Sequence, residues 1–202
     1  MKWLTAVGQV YRLAEQCSDK ASRPADPGLL RVRELWAYDE ILGTCRDLDW
    51  VSAALSVDLP VGEVPWLCRP AGADRWADLT RASKNPVGIR WRSVHAPVWN
   101  HRITGPVLVW DADDGVREVA MTALREGRGS SVASAAPSEE EFMARMDDEL
   151  TVSLAELTRR TREYESEHTT RLGIRADALH AAAQGYLDVL AAHPRDPARD
   201  ES

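Results

Sequence analysis

Val32–Pro60, VRELWAYDEILGTCRDLDWVSAALSVDLP, is the stretch that decides the fold. Leu35, Trp36, Ala37 and Tyr38 form an apolar run that stops at Asp39-Glu40. Val51, Ala53, Leu55 and Val57 then alternate with Ser52, Ala54 and Ser56. A period of two predicts a strand with one buried face, so the stretch reads as strand, connector and strand. Between the strands stands Asp47-Leu48-Asp49. Residues two apart in an extended chain share a face, which sets two carboxylates side by side. Such a pair repels itself unless a cation, a proton or an arginine intervenes.

Outward from this core, Trp3, Val7, Val10, Tyr11, Ala14 and Cys17 recur at helical spacing and predict an amphipathic helix over 2–18. Ser18–Gly28 is a loop, and Leu59–Gly72, with Pro60, Pro65 and Pro70, is irregular. Asp74–Ser83 is a short helix with Trp76 and Leu79 on one face. Asn85-Pro86 makes a good helix start, with Val87, Trp91 and Val94 on one side. Val87, Ile89 and Trp91 also alternate as in a strand; the reading adopted is helix. Val107–Trp110 is a buried strand closed by Asp111 and the turn Asp113-Asp114-Gly115, and Val116–Leu124 is a periodic helix.

Gly127–Pro137, GRGSSVASAAP, reads as a flexible linker, and Ser130-Ser131 in it as spacer. Ser138 and Glu141 form a capping box opening a long helix to about His168. In it Met143, Met146, Leu150, Leu154 and Leu157 make a stripe to cover the sheet or a partner chain. Arg159, Arg160 and Arg162 among Glu156, Glu163 and Glu165 make a solvated face. Gly173 marks a break before a last helix to about His193, and two such helices pack antiparallel. The organisation expected is an α+β domain over 1–126, the linker 127–137, a helical hairpin over 138–193 and a disordered tail over 194–202.

The net charge of −7 disfavours bulk nucleic-acid binding, which needs a basic surface. No run has the length of a membrane span and the start lacks a signal-peptide core. Cys17, Cys45 and Cys68 are widely spaced, without a Cys-x-x-Cys, which argues for a reducing cytoplasm rather than disulfides or zinc. Cys45 beside Arg46 carries no further signal of reactivity. Arginine over lysine, with abundant Ala, Val and Asp, suggests a GC-rich bacterial source. Eight tryptophans against one phenylalanine are read as core and its rim.

From Leu79 to Trp110 no acidic residue occurs, while Arg81, Lys84, Arg90, Arg92 and Arg102 all do. His95, His101, Trp91 and Trp99 are interleaved. Arginine forks with aromatic faces can grip a phosphorylated ligand, and Arg90, Arg92, His101 and Arg102 are the candidates. The alternative is that these arginines pair with the acidic remainder while the tryptophans lie in the core. His95 and His101 lack a third ligand for a metal site.

Strand, turn, Asp-x-Asp and strand over Val32–Asp58 resemble the core of the nucleotidyltransferase superfamily that includes polymerase beta. The resemblance implies α+β: a small mixed sheet flanked by helices, here with a C-terminal antiparallel helical hairpin. It also implies Mg²⁺ held by Asp47 and Asp49, which open the second strand, with Asp111 as the third carboxylate. Mg²⁺ ions clamp the attacking and leaving oxygens of phosphoryl transfer, and carboxylates supply the hard oxygens they need. The chain departs from the family where a Gly-Ser pair binds the phosphates: here stand Tyr38, Asp39 and Glu40, whose carboxylates repel a triphosphate. The expectation is a diverged member binding a nucleotide or phosphorylated small molecule. The alternative is a non-catalytic scaffold or regulatory protein with a protein partner.

Overall fold

The computed structural model describes residues 1–23, 29–82, 86–166 and 172–193, without the side chains of 172–175. The elements run α1 (Trp3–Ala21), β1 (Val32–Tyr38), β2 (Val51–Val57), α2 (Ala73–Thr80), β3 (Val87–Ser93), β4 (Val107–Asp111) and β5 (Gly115–Val116). There follow α3 (Glu118–Arg125), α4 (Glu139–Ser166) and α5 (Leu172–Ala192). The protein is α+β. The chain divides into two compact units: Met1–Val64 with Arg69–Ala136, and Pro65–Cys68 with Pro137–Ser202.

The first unit is built on a five-stranded mixed sheet of order β3-β2-β1-β4-β5. β1 pairs antiparallel with β2 and β4, and β2 pairs parallel with β3. The alternation in β2 does what its period predicts. Val51, Ala53, Leu55 and Val57 are fully buried beside Leu35 and Ala37 of β1. Val7, Val10, Leu13 and Ala14 of α1 and Met121 and Leu124 of α3 complete this core. Tryptophans staple the layers as well as fill them. The Trp3 indole N–H donates to the Leu124 carbonyl (3.1 Å), and that of Trp110 to the Ser18 hydroxyl (2.7 Å). Trp76 meets Trp91 edge to face at 5.6 Å.

The helix expected after Asn85-Pro86 is instead β3. Val87, Ile89 and Trp91 stand level with Val51, Ala53 and Leu55 of β2, and α2 lies in the crossover that a parallel pairing requires. β-branched and aromatic residues placed beside a buried strand outweigh a local helix-start signal. In α2, Trp76 is buried as expected, but Leu79 faces solvent at 51% exposure. Val116 belongs to β5, and α3 starts after it. Gly127–Pro137 contains the turn Gly129–Val132. Gly127 has φ +67, and a Cβ there would come within 2.7 Å of the Cys45 Sγ, so this position needs glycine.

In the second unit α4 and α5 run antiparallel, with His193 Nε2 2.7 Å from Asp147 Oδ1. The capping box forms reciprocally: the Ser138 N–H donates to Glu141 Oε2 (2.8 Å) and the Glu141 N–H to Ser138 Oγ (3.2 Å). Pro65–Cys68 belongs to this unit. The Trp66 indole N–H donates to Asp188 Oδ2 at 2.9 Å, and a Cβ on Gly185 would stand 2.2 Å from the Trp66 carbonyl oxygen. The Met143–Leu157 stripe is only partly the buried face of α4: Met146 is fully buried and Met143, Leu150 and Leu157 are half-buried. Arg145, Met146, Glu149, Ser153 and Glu156 are buried, while Leu154 is exposed. Arg145 pairs with Glu149 at 2.9 Å, and the more exposed Arg159 and Arg160 both reach Glu156 at 2.7 Å. The buried charges of Arg145, Glu149 and Glu156 are thus compensated, and Glu156 is buried rather than part of the solvated face expected. Gly173 falls inside α5 rather than before it, and the tail 194–202 lies outside the described residues.

Candidate functional site

The site grows from the turn between β1 and β2. Tyr38 ends β1 and faces Ser52 across the antiparallel ladder. Asp39 turns the chain with φ +69, a conformation few non-glycine residues adopt, and opens the short 3₁₀ turn Asp39–Leu42. The Ser52 hydroxyl donates to Asp39 Oδ2 at 3.3 Å. Burial pushes the Tyr38 phenol up, opposed by Arg90 and Arg92, with Asp39 adding to the rise and a Ser52 hydrogen bond opposing it. Tyr38, Asp39, Ser52, Arg90 and Arg92 thus form one electrostatic neighbourhood.

The sheet register explains it. Ser52, Ala54 and Ser56 of β2 stand level with Gly88, Arg90 and Arg92 of β3, and with Tyr38, Trp36 and Glu34 of β1. This is the sheet face opposite the apolar core. Arg92 is buried and donates to the Pro97 carbonyl (3.4 Å), whereas Arg90 is exposed. Ser56 Oγ is buried without a hydrogen-bond partner among the described residues. Beside Asp39 an open depression is lined by Glu40, Gly43, Thr44, Arg46 and Thr104, with Arg46 held 3.0 Å from Glu40.

Asp47 and Asp49 lie in the connector directly before β2. Both are exposed and flank the buried Leu48, whose N–H donates to the Met1 carbonyl at 2.9 Å. Burying the middle residue turns both carboxylates outward. Among the described residues neither carboxylate has an ion-pair or hydrogen-bond partner. Trp50 follows, 62% exposed.

Asp111 does not join them. β2 and β4 run in the same direction on either side of β1; Asp47 and Asp49 precede one, while Asp111 ends the other. Asp111 is level with Glu34 and hence with Ser56, five residues beyond Val51, or about 17 Å along the strand. It is also engaged. It accepts from the amides of Asp113 (3.0 Å) and Asp114 (2.8 Å) and from Arg117 Nε (2.6 Å). Burial would raise its pKa, but these donors prevail and hold it below the usual carboxylate range.

The expected phosphate residues fall in two places. Arg90 and Arg92 share a face of β3. His101 and Arg102 lie in a turn built by Asn100, whose Oδ1 accepts from the N–H groups of Arg102 and Ile103 at 2.9 Å. His95 lies 3.2 Å from Asp58. Lys84 lies outside the described residues. Sequence reasoning missed Tyr38, Asp39 and Ser52 as a group; the polar alternation of β2 was the signal that pointed toward Ser52. Among the described residues no three His, Cys, Asp or Glu side chains converge as a metal site. Asp47 and Asp49 offer two hard oxygen donors, which suits Mg²⁺ completed by water and phosphate oxygens.

Fold and site define an α+β protein whose mixed sheet carries an exposed Asp-x-Asp at the mouth of β2. The chain belongs to the DUF7711 family, a domain of unknown function, whose profile matches residues 1–195. No curated protein and no solved structure matches it. No helix among the described residues is long and apolar enough to cross a membrane.

Proposed function

We propose that this is a diverged nucleotidyltransferase-like protein that binds a nucleotide or other phosphorylated ligand together with Mg²⁺. The observation that carries the reading is the pair Asp47 and Asp49, exposed, without a partner among the described residues and set just before β2. Mg²⁺ is commonly held by one or two carboxylates plus substrate phosphates, so a pair suffices for binding. Exposed Arg90 near the Tyr38–Ser52 end of the sheet supplies positive charge for the phosphates. Binding is favoured over transfer because Asp111 is committed to Arg117, and Asp39 and Glu40 occupy the place of the phosphate-binding Gly-Ser. In this reading the protein works in a bacterial cytoplasm, where the free thiols Cys17, Cys45 and Cys68 stay reduced.

Thermal unfolding with Mg²⁺ or Mn²⁺ and a panel of nucleoside triphosphates tests the reading, since a ligand of the native state raises its stability by mass action. A metal-dependent rise in Tm that disappears in Asp47→Asn/Asp49→Asn supports it. An unchanged Tm across the panel counts against it. A second reading, a non-catalytic scaffold or regulator acting through protein contacts, is favoured by the exposed Leu154, Leu187 and Leu190 of the helical pair.

A further inference from the structure

Between the end of α1 and the start of β1 lies a cavity of about 120 Å³. Buried Val32 and Trp76 form part of its wall, and Lys20, Arg23, Arg31 and Arg33 all line it. The described residues around it include no Asp or Glu, although the chain carries a net charge of −7. Val32 stands level with Val57 and Tyr38 with Ser52, so the cavity lies at the end of β1 away from Asp47 and Asp49. The separation is about 20 Å along the strand.

The cations outnumber their partners. Asp19 takes Arg23 at 2.9 Å and Lys20 at 3.5 Å, and Asp113 takes Arg33 at 3.1 Å. Arg31 has no ion pair among the described residues. Four cations against two carboxylates leave an excess of two positive charges. Lys20 is the most withdrawn from water: its side chain is 14% exposed, while Asp19 is 51% exposed and shared with Arg23. An ammonium so far buried is costly without a close counter-charge. The C-terminus of α1 accounts for Lys20 and Arg23, since a helix end of that sign favours cations. It does not account for Arg31 and Arg33, which the start of β1 brings to the same cavity.

We infer that this cavity binds a phosphate dianion, free or as the phosphate group of a small phosphomonoester, through Lys20 and Arg31, with Arg23 and Arg33 completing the positive rim. Guanidinium groups meet phosphate oxygens two at a time, and an ammonium meets them as a point charge. The Trp76 indole N–H is buried without a hydrogen-bond partner among the described residues, and buried donors of this kind take an acceptor oxygen. The volume suits one phosphate group. It falls below the roughly 300 Å³ at which pockets for larger ligands begin, so it does not enclose a nucleotide. The inference is independent of the reading built on Asp47 and Asp49 and requires no metal.

Isothermal titration calorimetry of the full chain with inorganic phosphate, in metal-free buffer at constant ionic strength, tests it. The expected Kd is about 1 mM or tighter, with no heat from chloride. Arg31→Gln and Lys20→Gln should each weaken binding about tenfold with unchanged far-UV circular dichroism. Arg31 is exposed, so its variant keeps the fold whatever Lys20→Gln does. Asp47→Asn/Asp49→Asn should leave phosphate binding unchanged. Glycerol phosphate binding more tightly than inorganic phosphate identifies the esterified form as the ligand, and the reverse order identifies the free ion. No phosphate heat up to about 20 mM overturns the inference. So does binding that Arg31→Gln leaves intact, or binding that Asp47→Asn/Asp49→Asn abolishes.

Discussion

Asp111 and Arg117 form a closed pair: Arg117 Nε donates to Asp111 Oδ2 at 2.6 Å, while the carboxylate's other oxygen caps the amides of Asp113 and Asp114. The residue that the resemblance casts as a third metal ligand thus organises the turn joining β4 to β5. Its charge is satisfied locally, and the sheet register sets it away from Asp47 and Asp49.

Asp111→Asn should therefore lower stability without touching metal binding. Removing the buried anion weakens three donor contacts, a loss of about 1–3 kcal/mol in urea unfolding. The pH dependence has a definite sign. Asp111 has a depressed pKa when folded, so its contribution is fully present above the unfolded carboxylate value. It disappears as the pH falls through the folded value. The wild type should lose stability faster than Asp111→Asn over that acid window.

Arg90 and Arg92 should separate binding from folding. Arg90 is exposed on β3, so Arg90→Gln is expected to weaken nucleotide binding about tenfold with little change in Tm. Arg92 is 2% exposed and reaches the Pro97 carbonyl, so Arg92→Gln should unfold at lower denaturant. Paired titration and unfolding experiments on both variants check this division.

Gly185 should resist any side chain. Its missing Cβ lets the Trp66 backbone pass, so Gly185→Ala forces the two apart and is expected to lose about 1–3 kcal/mol. Loss of the hydrogen bond from Trp66 to Asp188 should accompany it, seen as a red shift in tryptophan fluorescence.

The thiols should differ sharply in reactivity. Burial, reinforced by Glu156 and opposed by Arg160 and Arg159, pushes Cys68 up to about 11, and burial alone raises Cys17. At pH 8 only about one Cys68 in a thousand is thiolate, so a thiol reagent should titrate exposed Cys45 rapidly and the other two only on unfolding.

What the sequence revealed follows from the range of the forces involved. α1, β1 and β2 were legible because their buried faces repeat along the chain at 3.6 or 2 residues. β3 was misread because Val87, Ile89 and Trp91 fit a strand while Val87, Trp91 and Val94 fit a helix. Only the parallel pairing with β2, a long-range event, decides between them. Asp47 and Asp49 were visible as a motif, but whether Asp111 could reach them depends on strand order and direction, which no local pattern encodes. The face of α4 was only partly legible for a related reason: Met146 is buried as its spacing suggests, but Arg145 and Glu149 neutralise each other one turn apart, so their side is buried too while Leu154 stays exposed.

The most direct test of the carboxylate pair is Mn²⁺ binding followed by electron paramagnetic resonance, with and without a nucleoside triphosphate, in the wild type and in Asp47→Asn, Asp49→Asn and Asp111→Asn. The account predicts a bound Mn²⁺ population that grows with nucleotide, falls with either Asp47→Asn or Asp49→Asn and is unchanged in Asp111→Asn. Binding that survives the first two substitutions, or that is lost in the third with the fold intact, would contradict it.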